Sequence, residues 1–439
     1  MAVTAAAPQG VVAAQNPAYR LASHFFFSAF TKGSPCAGRH EHPPHPLWQG
    51  PRWTLALLLG VLSSFGPLAI DAYLPAFGDI AASVKASPAQ MQQTLSGFFV
   101  AMGIMNLFHG ALSDSLGRRP LVLWNTALFG LASAGCALSD SVNALLFWRV
   151  LQGCSAGSGM VLGRAIVRDL YEPVEAQRLM SQSAIFHALA PVLAPLIGGL
   201  VLVLWGWHAI FWFLAVTSCV IWFVNWRWLP ETLALSQRQA LVLRPLLRAY
   251  SQLLRNPQFV ALTLASSVPF NAFFIYILSA PVFLGESLQL APTQFFLFFV
   301  CTVSGIMGGA AVSGRLAGRV TPRYQVRLGM TVMALAALAN VALNAAFVAH
   351  VAWAMFPMVL LAFGWALVTP VISLLALDIV PERRGMASSL QSGVGSFVGG
   401  LVAGLLSPWV MHSTLGLAVA SLALLSVGVA AWVWVKPRL

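Results

Sequence analysis

Charged residues are scarce in this sequence. Asp, Glu, Lys and Arg make up 8% of its 439 residues, whereas 59% are hydrophobic. A soluble globular protein carries about 25% charged residues, so this scarcity excludes a chain of two or three ordinary soluble domains. Apolar runs of roughly 18 residues or more recur from Trp53 to the C-terminus, and each is a candidate transmembrane helix. The runs are too long for barrel strands, so the sequence predicts an all-α membrane protein.

Catalytic and nucleotide-binding patterns are also absent. The sequence has no H-E-x-x-H, no Gly-rich phosphate loop with a Lys, and no Ser–His–Asp set in a recognisable frame. We therefore predict neither an enzyme nor an ATP-driven pump, and we predict no cofactor. No positively charged region leads a clean apolar core near the N-terminus, so we predict no cleavable signal peptide.

Cysteine is rare, and its spacing indicates neither a metal site nor a redox site. The five cysteines are Cys36, Cys136, Cys154, Cys219 and Cys301. The stretch "CAGRHEHPPHP", which begins at Cys36, is compatible with metal binding. Its proline content and irregular spacing favour a disordered tail over residues 1–52 instead, and we predict no metal site.

The apolar runs predict twelve transmembrane helices in two sets of six. The first set covers 53–77, 89–111, 120–138, 143–164, 179–204 and 208–229, and the second covers 258–284, 291–313, 327–347, 351–376, 387–411 and 414–435. The longest internal polar stretch, 230–257, contains four arginines. We interpret it as a linker between an N-terminal bundle, 53–229, and a C-terminal bundle, 258–435, with a short helix on the membrane surface. Residues 436–439 form a short tail.

Positive charge is concentrated on one side of the predicted topology. Every Lys and Arg except Lys85 and Arg149 falls on the side of the two termini or at a helix end there. The positive-inside rule therefore predicts that both termini are cytoplasmic, and anionic lipid headgroups account for the net charge of +12. Nucleic-acid binding would require a basic stripe, whereas these residues are spread over separate loops, so we predict no nucleic-acid partner.

The two predicted sets of helices also resemble each other. The loop after the fourth helix reads "RDLYEPVEAQRLMSQS", and the loop after the tenth reads "LDIVPERRGMASSLQS". The loop after the second helix, "GALSDSLGRRP", has a weaker counterpart after the eighth, "SGRLAGRVTPR". A duplicated six-helix unit is how many secondary transporters are built, with the substrate site at the repeat interface. The sequence thus predicts two pseudo-symmetric six-helix bundles.

Several stretches resemble a known family. "GALSDSLGRRP" resembles the G-x-x-x-D-x-x-G-R-[RK] signature of the major facilitator superfamily, "FWRVLQG" its fourth-helix pattern, and "APVLAPLIGG" its antiporter pattern in helix five. "IDAYLPAF", "QTLS", "VRDLYEP" and "IFWFLA" resemble the Bcr/CflA group of bicyclomycin and chloramphenicol exporters, and the resemblance covers about residues 53 to 435. It implies a proton antiporter in the bacterial inner membrane that exports small amphipathic drugs and is functional as a monomer.

The resemblance has departures. The group often has Gly-Pro where this chain has Gly110-Ala111, and a Tyr where it has Phe98. Ser63 stands where a related multidrug exporter has a Glu, so helix one keeps a single carboxylate and lacks the second one that a dual-carboxylate mechanism needs.

Asp71 is the carboxylate inside the first apolar run. Gly60, Ser64, Pro67 and Asp71 recur at three or four residues and share a helical face, which indicates that this face is turned to the protein interior. Arg149 in helix four lies at a similar predicted depth, roughly 10 Å from the outer end. Intramembrane charges mark ion and proton pathways, and the resemblance implies that Asp71 carries the coupling proton. When ionised, Asp71 is expected to pair with Arg149 or to face a cationic or neutral substrate. A static buried ion pair between helices one and four is the alternative interpretation.

Polar and aromatic residues within the spans suggest a substrate cavity. Its predicted lining is Tyr73, Asn106, Gln152, His187, Phe270, Asn271 and Phe274. Aromatic rings suit flat amphipathic drugs. Interhelical hydrogen bonding by the polar residues and contact of the rings with lipid are the alternatives.

Two further groups of residues are predicted to move or seal the transporter. The family resemblance implies that Asp114 binds the start of helix eleven, in the loop motif Gly110, Asp114, Gly117, Arg118 and Arg119. It also implies that helix five seals the cavity from the outside through Pro191, Pro195, Gly198 and Gly199. An importer or facilitator with the same fold remains the alternative function, followed by a membrane receptor or scaffold.

Overall fold

The computed structural model describes residues 48, 50–171, 173–317, 319–348, 350–380 and 384–435. Most of the predicted N-terminal tail, its histidine-rich stretch and the predicted tail 436–439 lie outside these residues.

Twelve helical segments follow one another in this part of the chain, and no strand occurs in it. Segments 1 to 6 comprise Arg52–Ser63 with Phe65–Asp71, Leu74–Ala76 and Phe77–Ser83; Pro88–Leu116; Arg118–Ala137; Val142–Ala156 with Ser158–Leu170; Pro173–Trp205; and Trp207–Trp228. Segments 7 to 12 comprise Pro257–Ser267 with Phe270–Leu278 and Pro281–Ser287; Pro292–Gln294 with Phe296–Leu316; Pro322–Ala346; Val351–Asp378; Arg384–Leu401 with Val402–Leu406 and Ser407–Val410; and Thr414–Val435. The linker contains a short turn of helix, Leu235–Gln237, and the linker helix, Leu243–Arg255.

Local sequence signals explain where several segments begin. Ser87 caps segment 2 by accepting a hydrogen bond from the backbone N–H of Gln90, and Pro88 occupies the first helical position. Thr321 caps segment 9 in the same way, again directly before a proline. Gly117 separates segments 2 and 3 with φ of 103°, a conformation that favours glycine and permits a tight turn between them.

The predictions of continuous helices over 53–77 and 258–284 are wrong. Segment 1 breaks at Ser64 and segment 7 breaks after Ser267, and each bends by 46°. Pro67 and Pro269 follow these breaks and lack the N–H that a continuous helix requires. Ser64 also donates its hydroxyl to the Gly60 carbonyl oxygen at 2.7 Å, a bond that bends helices.

Segments 4 and 11 are also interrupted, which corrects the continuous helices predicted over 143–164 and 387–411. Segment 4 breaks at Gly157 and extends to Leu170, and segment 11 contains a π-helical turn over Val402–Leu406. Nine helices of the described residues are long and apolar enough to cross a membrane, or eleven if each of the two bent pairs is one span. Segment 4 is not among them, because its two helices have 15 and 13 residues.

Segment 2 joins the first six segments to the last six. We call the side that carries Gly117 and the linker the basic side, and the side that carries Lys85 the far side. Near the far side, the Gln92 side-chain amide donates to the Leu278 carbonyl oxygen at 2.9 Å. Gln93 and Ser96 donate to carbonyl oxygens of segment 11, at 3.0 and 2.7 Å. These bonds close the far side between segments 2, 7 and 11.

Candidate transport site

Arg149 is fully buried in segment 4, and its partners come from segments 1, 2 and 4. Its Nη1 donates to the Ala69 carbonyl oxygen at 2.9 Å and to Gln152 Oε1 at 2.6 Å. The guanidinium lies 4.6 Å from the centroids of both the Tyr73 and the Phe98 rings. A cation between two aromatic faces is stabilised by their quadrupoles, most strongly where water is excluded.

The side chains that contact Arg149 form further hydrogen bonds of their own. The Gln152 side-chain amide donates to the Ser133 hydroxyl at 2.8 Å, which brings in segment 3. The Tyr73 hydroxyl lies 2.9 Å from the Thr94 hydroxyl. Because Thr94 donates its own proton to the Met91 carbonyl oxygen, Tyr73 is the donor in that pair. Two residues predicted to line the cavity, Tyr73 and Gln152, thus position Arg149.

Asp71 is buried, with 5% of its surface exposed. Within the described ranges, no hydrogen bond or ion pair joins its carboxyl group to another residue. Arg149 in turn binds Ala69, Gln152 and two rings, and its Nε and Nη2 have no hydrogen-bond partner among these residues. The predicted Asp71–Arg149 pair is therefore not formed in this conformation.

Helix periodicity explains why the two charges do not meet. Asp71 ends the second helix of segment 1, and Tyr73 follows two residues later with helical backbone angles. Two residues of helix turn the side-chain direction by about 200°, so Tyr73 faces Arg149 while Asp71 points away from it. The prediction from the sequence compared only the depths of the two residues.

Segment 5 packs closely beside Asp71. A Cβ atom on Gly198 would collide with the backbone of Ala72, the residue next to Asp71. A Cβ on Gly199 would lie 2.8 Å from the Pro292 carbonyl oxygen, at the start of segment 8. Pro191 and Pro195 lie inside the same uninterrupted helix. The two glycines thus bring segment 5 against segments 1 and 8 toward the far side.

Replacing Gly198 by alanine is expected to separate segments 1 and 5. The added methyl group cannot be accommodated by a side-chain rotation, because it meets the backbone of Ala72. We expect increased labelling of a cysteine placed at Ala72 by a membrane-impermeant thiol reagent. Gly78→Ala is the control, because no atom lies within 4 Å of a Cβ at that position. Equal labelling in the two variants would contradict a seal at Gly198.

The predicted aromatic lining gathers where segments 2, 7 and 10 meet. The ring centroids of Phe270 and Phe274 are 4.7 Å apart, and Phe270 lies 5.0 Å from Trp365. Phe99 contacts Phe274 edge to face at 5.5 Å. Trp365 also donates its indole N–H to the Ser266 carbonyl oxygen at 3.3 Å, at the bend in segment 7. Trp365 and Phe99 were not predicted, because their sequence surroundings match other membrane-facing aromatic residues.

The other predicted polar residues lie apart from the Arg149 cluster. Asn271 is fully buried and donates to the Ser267 carbonyl oxygen at 3.1 Å. Asn106 is buried with its side-chain oxygen against Gly157, at the break in segment 4. His187 is half-buried and follows Phe186, which packs against Gly60. Asn106 Oδ1, Asn271 Oδ1 and His187 Nδ1 have no hydrogen-bond partner within the described residues.

The loop between segments 2 and 3 is held by a cluster of charges. Arg118 donates to Asp114 Oδ1 at 2.5 Å, to Asp169 Oδ2 at 3.1 Å and also to the Ser113 hydroxyl. The structure therefore places Asp114 in an ion pair within its own loop, whereas the resemblance implied a contact with the start of segment 11. On that segment, Ser389 lies 3.9 Å from where a Cβ on Gly110 would be.

The linker is tied to the same loop. Glu231 accepts a hydrogen bond from the Arg118 backbone N–H at 3.0 Å and pairs with Arg238 at 3.2 Å. The backbone N–H of Gln239 donates to the Asp114 carbonyl oxygen at 2.9 Å. Arg119 donates to the Trp226 carbonyl oxygen at 2.6 Å. No sequence signal marked Glu231, whereas Asp169 was visible as part of the repeated loop.

A sequence profile of the Major Facilitator Superfamily matches residues 56–404. The chain belongs to the Major Facilitator Superfamily. It is therefore a membrane transporter, as the resemblance predicted, and not an enzyme.

Relatives of this major facilitator include bacterial resistance proteins. Multidrug resistance protein D of Escherichia coli is 28% identical over 85% of this chain and 94% of its own length. The bicyclomycin resistance protein homolog of Haemophilus influenzae is 27% identical over 79% of this chain and 88% of its own length. The uncharacterized MFS-type transporter YdgK of Bacillus subtilis is 33% identical over 64% of this chain and 70% of its own length. The predicted resemblance to the Bcr/CflA group of resistance proteins is thus confirmed.

Solved structures support the major facilitator fold. A bacterial homolog of the human lysosomal transporter Spinster, inward-facing and occupied, has a TM-score of 0.68 over 88% of this chain and 97% of that one, at 16% identity. A D-xylose–proton symporter has a TM-score of 0.66 over 87% of this chain and 96% of the symporter chain, at 13% identity.

A cavity of about 810 Å³ opens on the basic side of this major facilitator. Its walls come from segments 2, 4 and 11, from the start of segment 3 and from the linker, and include Asp114, Arg118, Arg164, Tyr250 and Ser388. Arg164 donates to the Ser388 hydroxyl at 3.2 Å across this space. The direct hydrogen bonds between segments 2 and 11 thus lie toward the far side, and the basic ends of both segments line this cavity.

Proposed function

We propose that this transporter exports small amphipathic drugs in exchange for protons, with Asp71 carrying the proton. The basic side is then the cytoplasmic side, as the distribution of Lys and Arg favours. Export further implies that the cavity on that side is where substrate enters, and that the bonds of segment 2 with segments 7 and 11 open to release it.

The environment of Asp71 is the observation that carries this proposal. A buried carboxylate without a partner is strongly disfavoured, so the observed surroundings suit the neutral, protonated group. When the proton leaves, the charge needs a donor or a cation. The Nε and Nη2 of Arg149, which have no partner among the described residues, supply donors once segment 1 turns Asp71 toward segment 4, and a substrate with a donor group is the competing source. Proton and substrate would then alternate at one site.

Paired bends support movement of two six-segment halves. Segments 1 and 7 occupy equivalent places in the two halves, and both bend by 46° directly after two consecutive serines. We propose that the halves are 53–229 and 258–435, joined by the linker 230–257. Bent helices with interrupted hydrogen bonding can change their angle without unfolding the rest of the segment.

The substrate class rests on the relatives and on the aromatic cluster. Relatives are named for resistance to bicyclomycin and chloramphenicol, and one is a multidrug resistance protein. The rings of Phe99, Phe270, Phe274 and Trp365 meet where segments from both proposed halves pack together. Rings in such a position suit a flat apolar ligand. The side-chain oxygen of Asn271, beside them, has no hydrogen-bond partner among the described residues.

Transport by the purified protein in liposomes tests the proposal. Radiolabelled chloramphenicol is the probe, and proton gradients of either sign are imposed across the membrane. We expect chloramphenicol to accumulate against its concentration gradient toward the more acidic compartment, with protons moving the opposite way. Accumulation in the same direction as the protons would establish an importer, and transport unaffected by either gradient would establish a facilitator.

A further inference from the structure

The linker helix repeats one dipeptide three times. Leu243-Arg244, Leu247-Arg248 and Leu254-Arg255 each place a leucine directly before an arginine. Residues four and seven apart lie on one helical face, so the leucines form one stripe and the arginines form a second, about 100° away.

Both stripes are exposed. Leu243, Leu247 and Leu254 expose 50%, 48% and 52% of their surfaces, and all three arginines are exposed as well. No ion pair involves these arginines within the part of the chain that the structure describes. A stripe of exposed leucines beside a stripe of arginines is typical of a helix that lies at the surface of a membrane.

The opposite face of the linker helix is anchored to the transporter. Ala249, Tyr250 and Leu253 are buried, and the Tyr250 hydroxyl donates to the Leu107 carbonyl oxygen of segment 2 at 2.8 Å. Burial raises the pKa of Tyr250 to about 12, so the phenol keeps this proton. The helix ends at Arg255, and Asn256 caps segment 7 immediately afterwards. The linker helix is therefore bonded to segment 2 and leads directly into segment 7.

A groove lies at the end of the arginine stripe. It has a volume of about 550 Å³ and is lined by Arg255, Asn256, Gln258 and Trp434, among others. Tryptophan is enriched at membrane interfaces, and Arg255 presents the forked donors that match a phosphate group. The groove thus places a phosphate-binding group beside an interfacial aromatic ring.

We propose that the linker helix and this groove bind anionic phospholipids. The leucines enter the boundary between headgroups and acyl chains, and Arg244, Arg248 and Arg255 bind the headgroup phosphates. Three exposed arginines without an ion-pair partner among the described residues complement an anionic surface, whereas a zwitterionic lipid has no net negative charge to attract them. Because the helix connects segments 2 and 7, bound lipid holds the linker at a junction between the first six segments and the last six.

Hydrogen–deuterium exchange of the full chain in lipid nanodiscs tests this site. The discs contain phosphatidylcholine alone or phosphatidylcholine with phosphatidylglycerol. We expect the amides of 243–255 to exchange more slowly in the discs with phosphatidylglycerol. Replacing Arg244, Arg248 and Arg255 together by glutamine should remove the difference, and should weaken phosphatidylglycerol binding in detergent by about fivefold for each arginine.

A matched triple variant removes the same number of positive charges from a different place on the basic side. Arg315, Arg319 and Arg323 are exposed on the same side, and replacing all three by glutamine should leave the exchange difference at 243–255 unchanged. An equal loss of the difference in both triple variants would show general attraction by the basic side and overturn the proposal. So would identical exchange in the two kinds of disc, or the same protection by inorganic phosphate in discs of phosphatidylcholine.

Discussion

The Asp71→Asn variant is expected to fold and to lose proton-driven drug accumulation. Asparagine has nearly the same shape as aspartic acid and cannot ionise. Since Asp71 has no hydrogen bond or ion pair in the described part of the chain, the substitution breaks no observed interaction. We therefore expect near-normal thermal stability of the purified protein, together with at least a tenfold lower initial rate of uphill chloramphenicol transport in liposomes.

The control for this variant lies on the same segment. Asp79 is exposed, and Asp79→Asn should retain full uphill transport. Exchange of labelled for unlabelled substrate without a proton gradient separates binding from coupling, and we expect Asp71→Asn to retain part of that exchange. Uphill transport by Asp71→Asn at the rate of Asp79→Asn would mean that Asp71 does not carry the proton.

Replacing Arg149 by methionine is expected to destabilise the protein strongly. The substitution keeps an apolar chain between the Tyr73 and Phe98 rings but removes both donated hydrogen bonds. The Ala69 carbonyl and the Gln152 side-chain oxygen would then be buried without donors, at about 1–3 kcal/mol each. We expect a lower thermal unfolding midpoint in detergent and a reduced yield of folded protein, whereas exposed Arg315→Met should leave both unchanged.

A double variant distinguishes this cluster from an ion pair. If Asp71 and Arg149 formed a static pair, Asp71→Asn should compensate for much of the damage of Arg149→Met, because no unpaired charge would remain. The observed geometry predicts additive effects on the free energy of unfolding, within about 0.5 kcal/mol, because the two side chains share no contact. A coupling energy well above that value would show that the pair forms in another populated conformation.

The sequence was sufficient for much of the fold because its signals are local or repeated. Long apolar runs define most spans, and the repeated loops mark equivalent places in the two sets of six. The bends were missed because hydrophobicity does not change at Ser64 or at Gly157. Serine, glycine and proline within an apolar run also occur in continuous helices, such as segment 5 with Pro191 and Pro195, so their presence alone does not predict a bend.

The candidate site was less predictable than the fold. Burial of Asp71 and Arg149 followed from their positions in apolar runs. Their partners did not, because Arg149 binds a backbone carbonyl oxygen and two rings, and these leave no charge pattern in the sequence. The bond between Glu231 and the Arg118 backbone was invisible for a related reason. It joins residues far apart in the chain, and one of the two groups belongs to the backbone.

The way Arg149 is held has a consequence for how the chain enters the membrane during synthesis. Segment 4 carries a buried arginine and is interrupted at Gly157, and an arginine at the centre of a helix disfavours insertion by roughly 2.5–3.5 kcal/mol. Ala69, Tyr73, Phe98 and Ser133 all precede Arg149 in sequence. When segment 4 leaves the ribosome, the segments that receive its charge have already been synthesised. Insertion of segment 4 thus depends on segments 1, 2 and 3, which are synthesised before it. The order of the helices along the chain is therefore also an order of assembly.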